Sequence, residues 1–483
     1  MILRRFYNDE LAQASYLLGC ESTRQAIVVD PNLDVAQYVD AAAAERLTIA
    51  YVTETHIHAD FLSGARALTT ATGAQLMLSG DGGPDWQYQV TPADGQTTVL
   101  LHDGDSISVG TVRLDVLHTP GHTPEHIAFL VTDTTVSDQP VGLISGDFIF
   151  VGDVGRPDLL ERAAHVAGTM EASAKQLFAS LRRVAALPDY LQLWPGHGAG
   201  SACGKALGAL PQSTLGYERL VNSALRERDE SAFVRDILSA QPEPPRYFAR
   251  MKRLNRDGVS AGAAWSAEAA RLAPDDVERA LATGALVVDA RPSAEFRRAF
   301  VPGSVCVPKS KSFTTYFGAI APEHAPVVLL VARDGDVAPL SRALRLIGFD
   351  EIVGWAPASA IIEARRGRGA AIESLAAVDV PSVQARLAEA NPPLVLDVRG
   401  AGERQYGVIA GSVGVALNNV RDWAGRGDTA HDAPIVVHCH TGTRAVIGAS
   451  LLVAQGFSDV TPMTGGFDAW LAAGLPVQTP SPN

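Results

Sequence analysis

The strongest constraint on what this chain can fold into is an internal repeat. LVVDARPSAEF at 286–296 aligns with LVLDVRGAGER at 394–404, pairing Asp289 with Asp397 and Arg291 with Arg399 at an offset of 108 residues. The same offset pairs Gly303 with Gly411, Pro326 with Pro434, and Gly348-Phe349 with Gly456-Phe457. A register held over this distance means two copies of one unit. Solenoid repeats run about 20–50 residues, so the longer period here suits tandem domains. Each copy reads as an apolar strand, a turn, a second strand (VVLLV or IVVHC), a helix and a third short strand. That order predicts a small α/β unit with a parallel sheet.

The repeat leaves the first half of the chain to be explained. A length of 483 residues exceeds what one hydrophobic core serves and implies about three domains. Up to residue 240 short apolar strands alternate with Gly and Asp turns, as in LLHDGDSISVGTVRLDVLHTPGH, and a helix is expected near Thr169 to Ala186. The segment QPEPPRYFARMKRLNRDGV at 241–259 is rich in proline and charge and reads as a connector, with its basic residues on a surface loop. The expected domains are 1–240, a connector at 241–265, then 266–370 and 371–483.

Composition narrows the class of function. A formal net charge of -13 without a dominant Lys/Arg cluster argues against a nucleic-acid footprint, which needs clustered cations to meet phosphates. A small-molecule substrate is the default. The N-terminus places Asn8, Asp9 and Glu10 where a signal peptide would carry its apolar core. No apolar run approaches the roughly 18–20 residues that a membrane helix requires. Cysteines at 20, 203, 306 and 439 offer neither a disulfide framework nor a C-x-x-C metal spacing. The expectation is a cytoplasmic protein, away from nucleic acid and membrane, whose important cysteines act as thiols.

Two constellations carry chemistry. In the first, ETHIHADFLSG comes after the apolar run Leu47 to Val52, and an extended backbone there would point His56 and His58 to one side, with Asp60 two residues on. His122 lies in the tight turn of HTPGHTPEH, and Asp147 ends an apolar strand in LISGDFIFVGD. A carboxylate in such surroundings is costly to bury without a partner or a metal.

THIHAD, TPGHTP, SGDFIF and PGHG, in this order, resemble the metallo-β-lactamase superfamily over residues 1 to about 240. That resemblance implies an N-terminal αββα sandwich. GDVGRPDL after Asp147 resembles the persulfide dioxygenases, which oxidise the outer sulfur of a thiol persulfide to sulfite with O2. For this chain the resemblance implies one Fe(II) held by His56, His122 and Asp147, a donor set suited to oxygen activation. His58 and Asp60 would be further ligands or their supports. His197, in WPGHGAGSACG, matches a second-metal ligand of dinuclear relatives such as glyoxalase II. That second site also needs a histidine where this chain has Phe61, and a phenyl ring cannot ligate. One metal is therefore expected, and a zinc-dependent glyoxalase II-like thioesterase is the alternative. Arg156 in GRPD matches a family position near the thiol's carboxylate or the site mouth, against a salt bridge with Asp158. Cys203 is a candidate to carry or receive sulfane sulfur, against a small buried hydrophobe.

In the second constellation IVVHC ends at Cys439, and HTGTR leads through Gly442 to Arg444 and a helix. A cysteine at a strand end before a helix N-terminus meets the helix dipole, inward N–H groups and a guanidinium, which stabilise a thiolate nucleophile. Gly442 joins the candidate substrate-binding or relay positions. This C-x-x-G-x-R loop, with DVR before it and TGGFDAW after it, resembles the rhodaneses over residues 380–478. Those sulfurtransferases carry a persulfide on the loop cysteine. The repeat offset carries Cys439 onto Val331, in VARDGDV, so the first copy is expected to be a rhodanese-like domain without its nucleophile. Cys306 is expected in a core. Taken together, the resemblances imply a homo-oligomer acting on a low-molecular-weight persulfide, O2, and sulfite or thiosulfate.

Overall fold

A computed structural model describes residues 1–89, 97–162, 168–205, 207–239, 241–258 and 268–479. The chain divides into two compact units, Met1–Trp265 with Leu346–Gly348, and Ser266–Arg345 with Phe349–Asn483.

The first unit is built on two six-stranded sheets. One runs in chain order from Ile2–Asn8 through Gln13–Gly19, Gln25–Val29, Thr48–Thr53 and Gln75–Ser79 to Val99–Leu101. The other orders Ser213–Thr214, Gln192–Pro195, Gly142–Gly146, Ile127–Asp133, Val112–His118 and Ser106–Val109. Tyr16, Leu18, Ile27, Val29, Leu114, Val116, Phe129, Val131, Ile144 and Trp194 form one buried cluster drawn from both sheets. Strands such as QASYLLG and GLISG are buried at every position, because each sheet is covered on its far face as well. Helices Ala36–Ala44 and Ala65–Thr72 pack outside the first sheet through Tyr38, Ala42, Ala65 and Leu68. Met170–Val184 and Glu230–Leu238 do the same outside the second through Leu177, Leu181, Phe233 and Ile237. The result is the expected αββα sandwich.

The segment read as a connector behaves differently from expectation. Phe248–Asp257 is a helix with Phe248, Arg250, Met251 and Asn255 buried, and it belongs to the first unit. Its basic residues divide: Arg246, before the helix, and Arg253 are exposed as expected, whereas Arg250 is buried on the helix, and Asn255 holds the first unit's loop at 58–63. Residues 259–265 of the connector, together with 266–267, lie outside the described residues.

The second unit contains the repeat. Its two four-stranded sheets have the same order: Val305–Cys306, Leu286–Asp289, Val327–Val331, Ile352–Pro357 in one, and Val413–Gly414, Leu394–Asp397, Ile435–His438, Val460–Pro462 in the other. All pairings in both are parallel. The paired Asp-Arg positions do one job in each copy. Arg291 Nη2 donates to Asp289 Oδ2 at 2.6 Å and to the Ala299 carbonyl at 2.8 Å. Arg399 Nη2 donates to Asp397 Oδ2 at 2.7 Å and to the Gly407 carbonyl at 2.9 Å. These buried ion pairs tie each first strand to the loop after its helix, so the residues that reveal the repeat are structural. Among the described residues no helix is long and apolar enough to cross a membrane.

Candidate metal centre and thiolate loop

The histidines and carboxylates of the first unit come from loops at the C-terminal ends of four strands: Thr48–Thr53, Val112–His118, Gly142–Gly146 and Gln192–Pro195. His56, His122 and Asp147 are buried, and each offers a ligand atom within 4.8 Å of the others. Nε2 of His56 lies 3.8 Å from Asp147 Oδ2, and Nε2 of His122 lies 3.5 Å from the same oxygen.

Each ring is aimed by its other nitrogen. His56 Nδ1 donates to Thr55 Oγ1 at 2.9 Å, and that hydroxyl donates to Asp30 Oδ2 at 2.9 Å. His122 Nδ1 donates to the Arg156 carbonyl at 3.0 Å. These contacts fix the tautomer that leaves each Nε2 lone pair facing Asp147. Burial pulls both imidazoles down, His122 to about 3 and His56 well below its ordinary value, where the neighbouring imidazoles add to the effect. Both are neutral at physiological pH, the form that ligates. Asp147 is the complement: no N–H or hydroxyl donates to its buried oxygens, which only the weakly donating Cys203 thiol meets. A wholly buried carboxylate in that state needs a cation.

His126, the third histidine of HTPGHTPEH, is a functional position that the sequence reading missed. It accepts from the Asp147 N–H at 3.1 Å through Nε2, while Nδ1 donates to Thr119 Oγ1 at 2.8 Å. It therefore positions the aspartate's backbone. Gly146 precedes that aspartate at φ 50, and a Cβ there would stand 2.5 Å from Thr55 Oγ1. Only glycine brings the carboxylate this close to the His56 support.

His58 turns a different nitrogen outward. Nε2 sits 2.8 Å from Glu54 Oε2 and 3.2 Å from Asp30 Oδ1, while buried Nδ1 has no hydrogen-bond partner. Burial opposes charge on this ring, but Asp30 and Glu54 outweigh it and raise His58 well above its ordinary value. Phe61 is fully buried, with its ring 4.4 Å from that of His58. The loop carrying both is clamped by the 241–258 segment: Asn255 Nδ2 donates to the carbonyls of His58 and Phe61, each at 2.7 Å, and Tyr247 OH donates to the Asp60 carbonyl at 3.1 Å.

His197 and Asp60 lie together, with His197 Nε2 3.1 Å from Asp60 Oδ2 and 3.5 Å from Asp147 Oδ1. Cys203 is buried beside them. Burial first, then Asp60 and Asp147, push its thiol well up. A neutral, enclosed thiol is a poor sulfur relay. Arg156 is fully buried, with Nε and Nη2 on the two Asp158 oxygens at 2.7 Å each and Nη1 on the Ala202 carbonyl at 3.2 Å. The salt-bridge reading of Arg156 is the one the geometry supports, since its guanidinium faces no opening. Arg156→Gln should lower unfolding free energy by about 3 kcal/mol in denaturant titrations, near the lower end for breaking a buried pair, because Arg162 still reaches Asp158 at 3.1 Å.

In the second unit Cys439 comes directly after the strand Ile435–His438, and helix Thr443–Ala454 begins just beyond it. Gly442, at φ 114, directs its N–H to Cys439 Sγ at 3.1 Å. The Arg444 guanidinium is held on both oxygens of Glu403, at 2.7 and 2.6 Å. Glu403 lies in the repeated LVLDVRGAGER, opposite Glu295 of the other copy, but the repeat itself gives no sign of this role. Burial opposes its charge, but Arg444 outweighs that and holds the carboxyl below its usual range. A depressed carboxyl contributes stability that is lost as pH falls through the folded value. Glu403→Gln should therefore flatten the acid side of the unfolding curve, by about 1 kcal/mol or less for a pair this exposed. The equivalent loop of the first copy begins after Val331, and Lys309 Nζ holds Asp336 Oδ1 there at 2.7 Å. Cys306 is fully buried, as expected of a core position.

A metal-ready sandwich and a cysteine loop on a parallel α/β sheet together define a two-part protein. The sequence profile of the Metallo-beta-lactamase superfamily matches residues 8–197, and that of the Rhodanese-like domain matches 273–355 and 379–473. A crystal structure of a metallo-beta-lactamase from Staphylococcus aureus subsp. aureus COL is 39% identical, with a TM-score of 0.66, over 74% of this chain and 99% of that one. The chain belongs to the metallo-beta-lactamase superfamily and carries two rhodanese-like domains. Curated relatives match the first unit. The mitochondrial persulfide dioxygenase ETHE1 of Bos taurus is 27% identical over 47% of this chain and 76% of its own length. A hydroxyacylglutathione hydrolase of Rhodospirillum rubrum is 32% identical over 38% of this chain and 60% of its own. A beta-lactamase hydrolase-like protein of Xylella fastidiosa is 27% identical, and this chain spans 53% of its length.

Proposed function

We propose that the first unit is a persulfide dioxygenase with Fe(II) held by His56, His122 and Asp147, and that the last domain is a sulfurtransferase forming or using thiosulfate through Cys439. The observation that carries the first half is the convergence of two neutral imidazole Nε2 atoms on a buried carboxylate to which no N–H or hydroxyl donates. Two histidines and one carboxylate leave coordination positions open. Iron bound there would supply oxygen activation at a low-molecular-weight persulfide. The chain's own part is to aim the ligands through Thr55, His126 and the Arg156 carbonyl, and to keep the histidines unprotonated. Sulfite made at this centre is an acceptor for the sulfane sulfur carried by Cys439, giving thiosulfate; the reverse step would return persulfide.

Iron-loaded protein should consume O2 with glutathione persulfide and release sulfite. The second reading, zinc-dependent thioester hydrolysis, is favoured by the likeness to the hydroxyacylglutathione hydrolase. Rapid hydrolysis of a glutathione thioester by zinc-loaded protein, with no persulfide-dependent oxygen uptake by the iron form, would replace the first reading with the second. Metal analysis of protein purified without added metal is the companion measurement.

A further inference from the structure

The repeat contains its own control, because residues kept in both copies serve the fold and residues kept in one need another reason. The buried Asp-Arg pairs stand in both, as Asp289 with Arg291 and Asp397 with Arg399. Around Cys439 the copies part. The strands Ile435–His438 and Val327–Val331, and the helices Gly466–Ala472 and Ala358–Gly367, still start at the offset of 108 residues. At that offset Cys439 faces Val331, His440 faces Ala332, Arg444 faces Asp336 and Asp468 faces Ala360. His440 and Asp468 therefore belong to the copy with the nucleophile, and they are paired: His440 Nδ1 lies 2.8 Å from Asp468 Oδ2. Both side chains are half exposed, and a pair so exposed adds little to stability.

We propose that His440, oriented by Asp468, is a general base that takes the proton from a low-molecular-weight thiol as that thiol accepts sulfane sulfur from Cys439. The inference rests on the reading of Cys439 as a persulfide carrier, and deepens it by naming a thiol as the acceptor. Backbone contacts hold the dyad to the loop. The Phe467 N–H donates to the Cys439 carbonyl at 2.7 Å, and the Asp468 N–H to the His440 carbonyl at 3.1 Å. Gly466, at φ 58, permits this approach, because a Cβ there would collide with both carbonyls. With Nδ1 bonded to the carboxylate, the neutral ring keeps its Nε2 lone pair for a proton, the division of labour found in a Ser-His-Asp triad. Other groups around Cys439 are committed: Arg444 and Glu403 hold one another, and His438 is fully buried with Nε2 3.7 Å from Asp397 Oδ2. The step balances without an oxidant. Nε2 removes the S–H proton, and the resulting thiolate attacks the protonated outer sulfur of the Cys439 persulfide. The old S–S bond breaks as the new one forms, Cys439 leaves as a thiolate that receives the Gly442 N–H, and His440 returns its proton to solvent. The product is the thiol's persulfide, the substrate class proposed for the first unit. Sulfite dianion, attacking through a sulfur lone pair, has no proton to lose.

Full-length protein, charged on Cys439 with thiosulfate, freed of the excess and then discharged in a single turnover at neutral pH, tests the assignment with glutathione and sulfite as acceptors. His440→Gln should slow discharge to glutathione by about 100-fold or more and leave discharge to sulfite within about twofold of wild type. An aryl thiol already ionised at neutral pH should discharge the variant as fast as wild type. Asp468 is a positioning residue, so Asp468→Asn should shift the glutathione-to-sulfite ratio in the same direction by a smaller factor, and that ratio decides should His440→Gln fail to fold. The competing account makes the pair a surface tie between the helix Gly466–Ala472 and the loop. Equal losses with both acceptors, or an unchanged rate with glutathione, overturns the general base and leaves Cys439 as the carrier. Wild-type protein that takes up no sulfur from thiosulfate would overturn the carrier and the base together.

Discussion

Replacing Cys439 by serine should reduce sulfur transfer from thiosulfate to cyanide to the uncatalysed background while leaving persulfide-dependent oxygen uptake at the wild-type rate. All four thiols are buried, so surroundings rather than exposure set Cys439 apart, and the equivalent position of the other copy is Val331, at the end of its strand. Cys439 combines a strand end, the Gly442 N–H and the N-terminus of a following helix. A serine oxygen placed there keeps the cradle but lacks the nucleophilicity and leaving ability on which a persulfide intermediate depends. Appreciable transfer by the serine variant would mean that another group carries the sulfur. Oxygen uptake falling in parallel would mean that the two centres are obligatorily coupled, contrary to the independence expected here.

Asp147→Asn should remove metal from the first site and oxygen uptake with it, yet make the metal-free protein more stable than metal-free wild type at neutral pH. Burial, reinforced by the neighbouring Asp60, raises the Asp147 carboxyl against the pull of His197, to about 6. A raised carboxyl makes the folded state bind protons more tightly than the unfolded chain, so stability falls as pH rises through the window between the two values. In metal-free wild type that penalty should appear between pH 3.8 and about 6, amounting to roughly 3 kcal/mol. The asparagine variant, uncharged throughout, should lack it. Metal reverses the ranking, because binding to the folded state alone stabilises it by mass action. Thermal unfolding of both proteins, with and without metal, reads all four states. A metal-free variant less stable than metal-free wild type would show that Asp147 has a structural partner in the apo protein.

How much of this site is legible in the sequence depends on how local the information is. His56, His58 and Asp60 occupy one short loop, and His122 and His126 share HTPGHTPEH, so motif spacing can find the ligand types. Asp147 is visible as a carboxylate ending an apolar strand. Their supports come from far along the chain: Asp30 reaches Thr55, Asn255 reaches His58 and Phe61, and Glu403 reaches Arg444. Asp30 and Asn255 belong to no motif, Glu403 lies in the repeated LVLDVRGAGER without a role that the repeat marks, and each is recognisable as a partner only after the fold has closed the distance. The repeat is legible because both copies keep the same buried Asp-Arg pair. The 241–258 segment misleads because PEPPRYFARMKRLNRD announces itself by proline and charge, while Tyr247, Phe248, Met251 and Asn255, which decide its packing, are scattered among the cations. Phe61 reads as the loss of a ligand, whereas in the fold its ring packs 4.4 Å from that of His58, a contact that motif spacing alone does not announce.

The helix Thr443–Ala454, which starts just after the cysteine loop, is buried without interruption from Ala445 to Leu452. Its own sheet covers one side; the strand Val305–Cys306 of the other copy meets it on another, where Ser450 Oγ accepts from the Cys306 N–H at 3.0 Å. Because the ribosome delivers the chain from its N-terminus, the copy without a nucleophile is made first and can stand folded before this helix emerges. It then serves as a ready template for the helix that completes the loop around Cys439. Deleting the first copy would therefore leave that helix without part of the surface against which it is built.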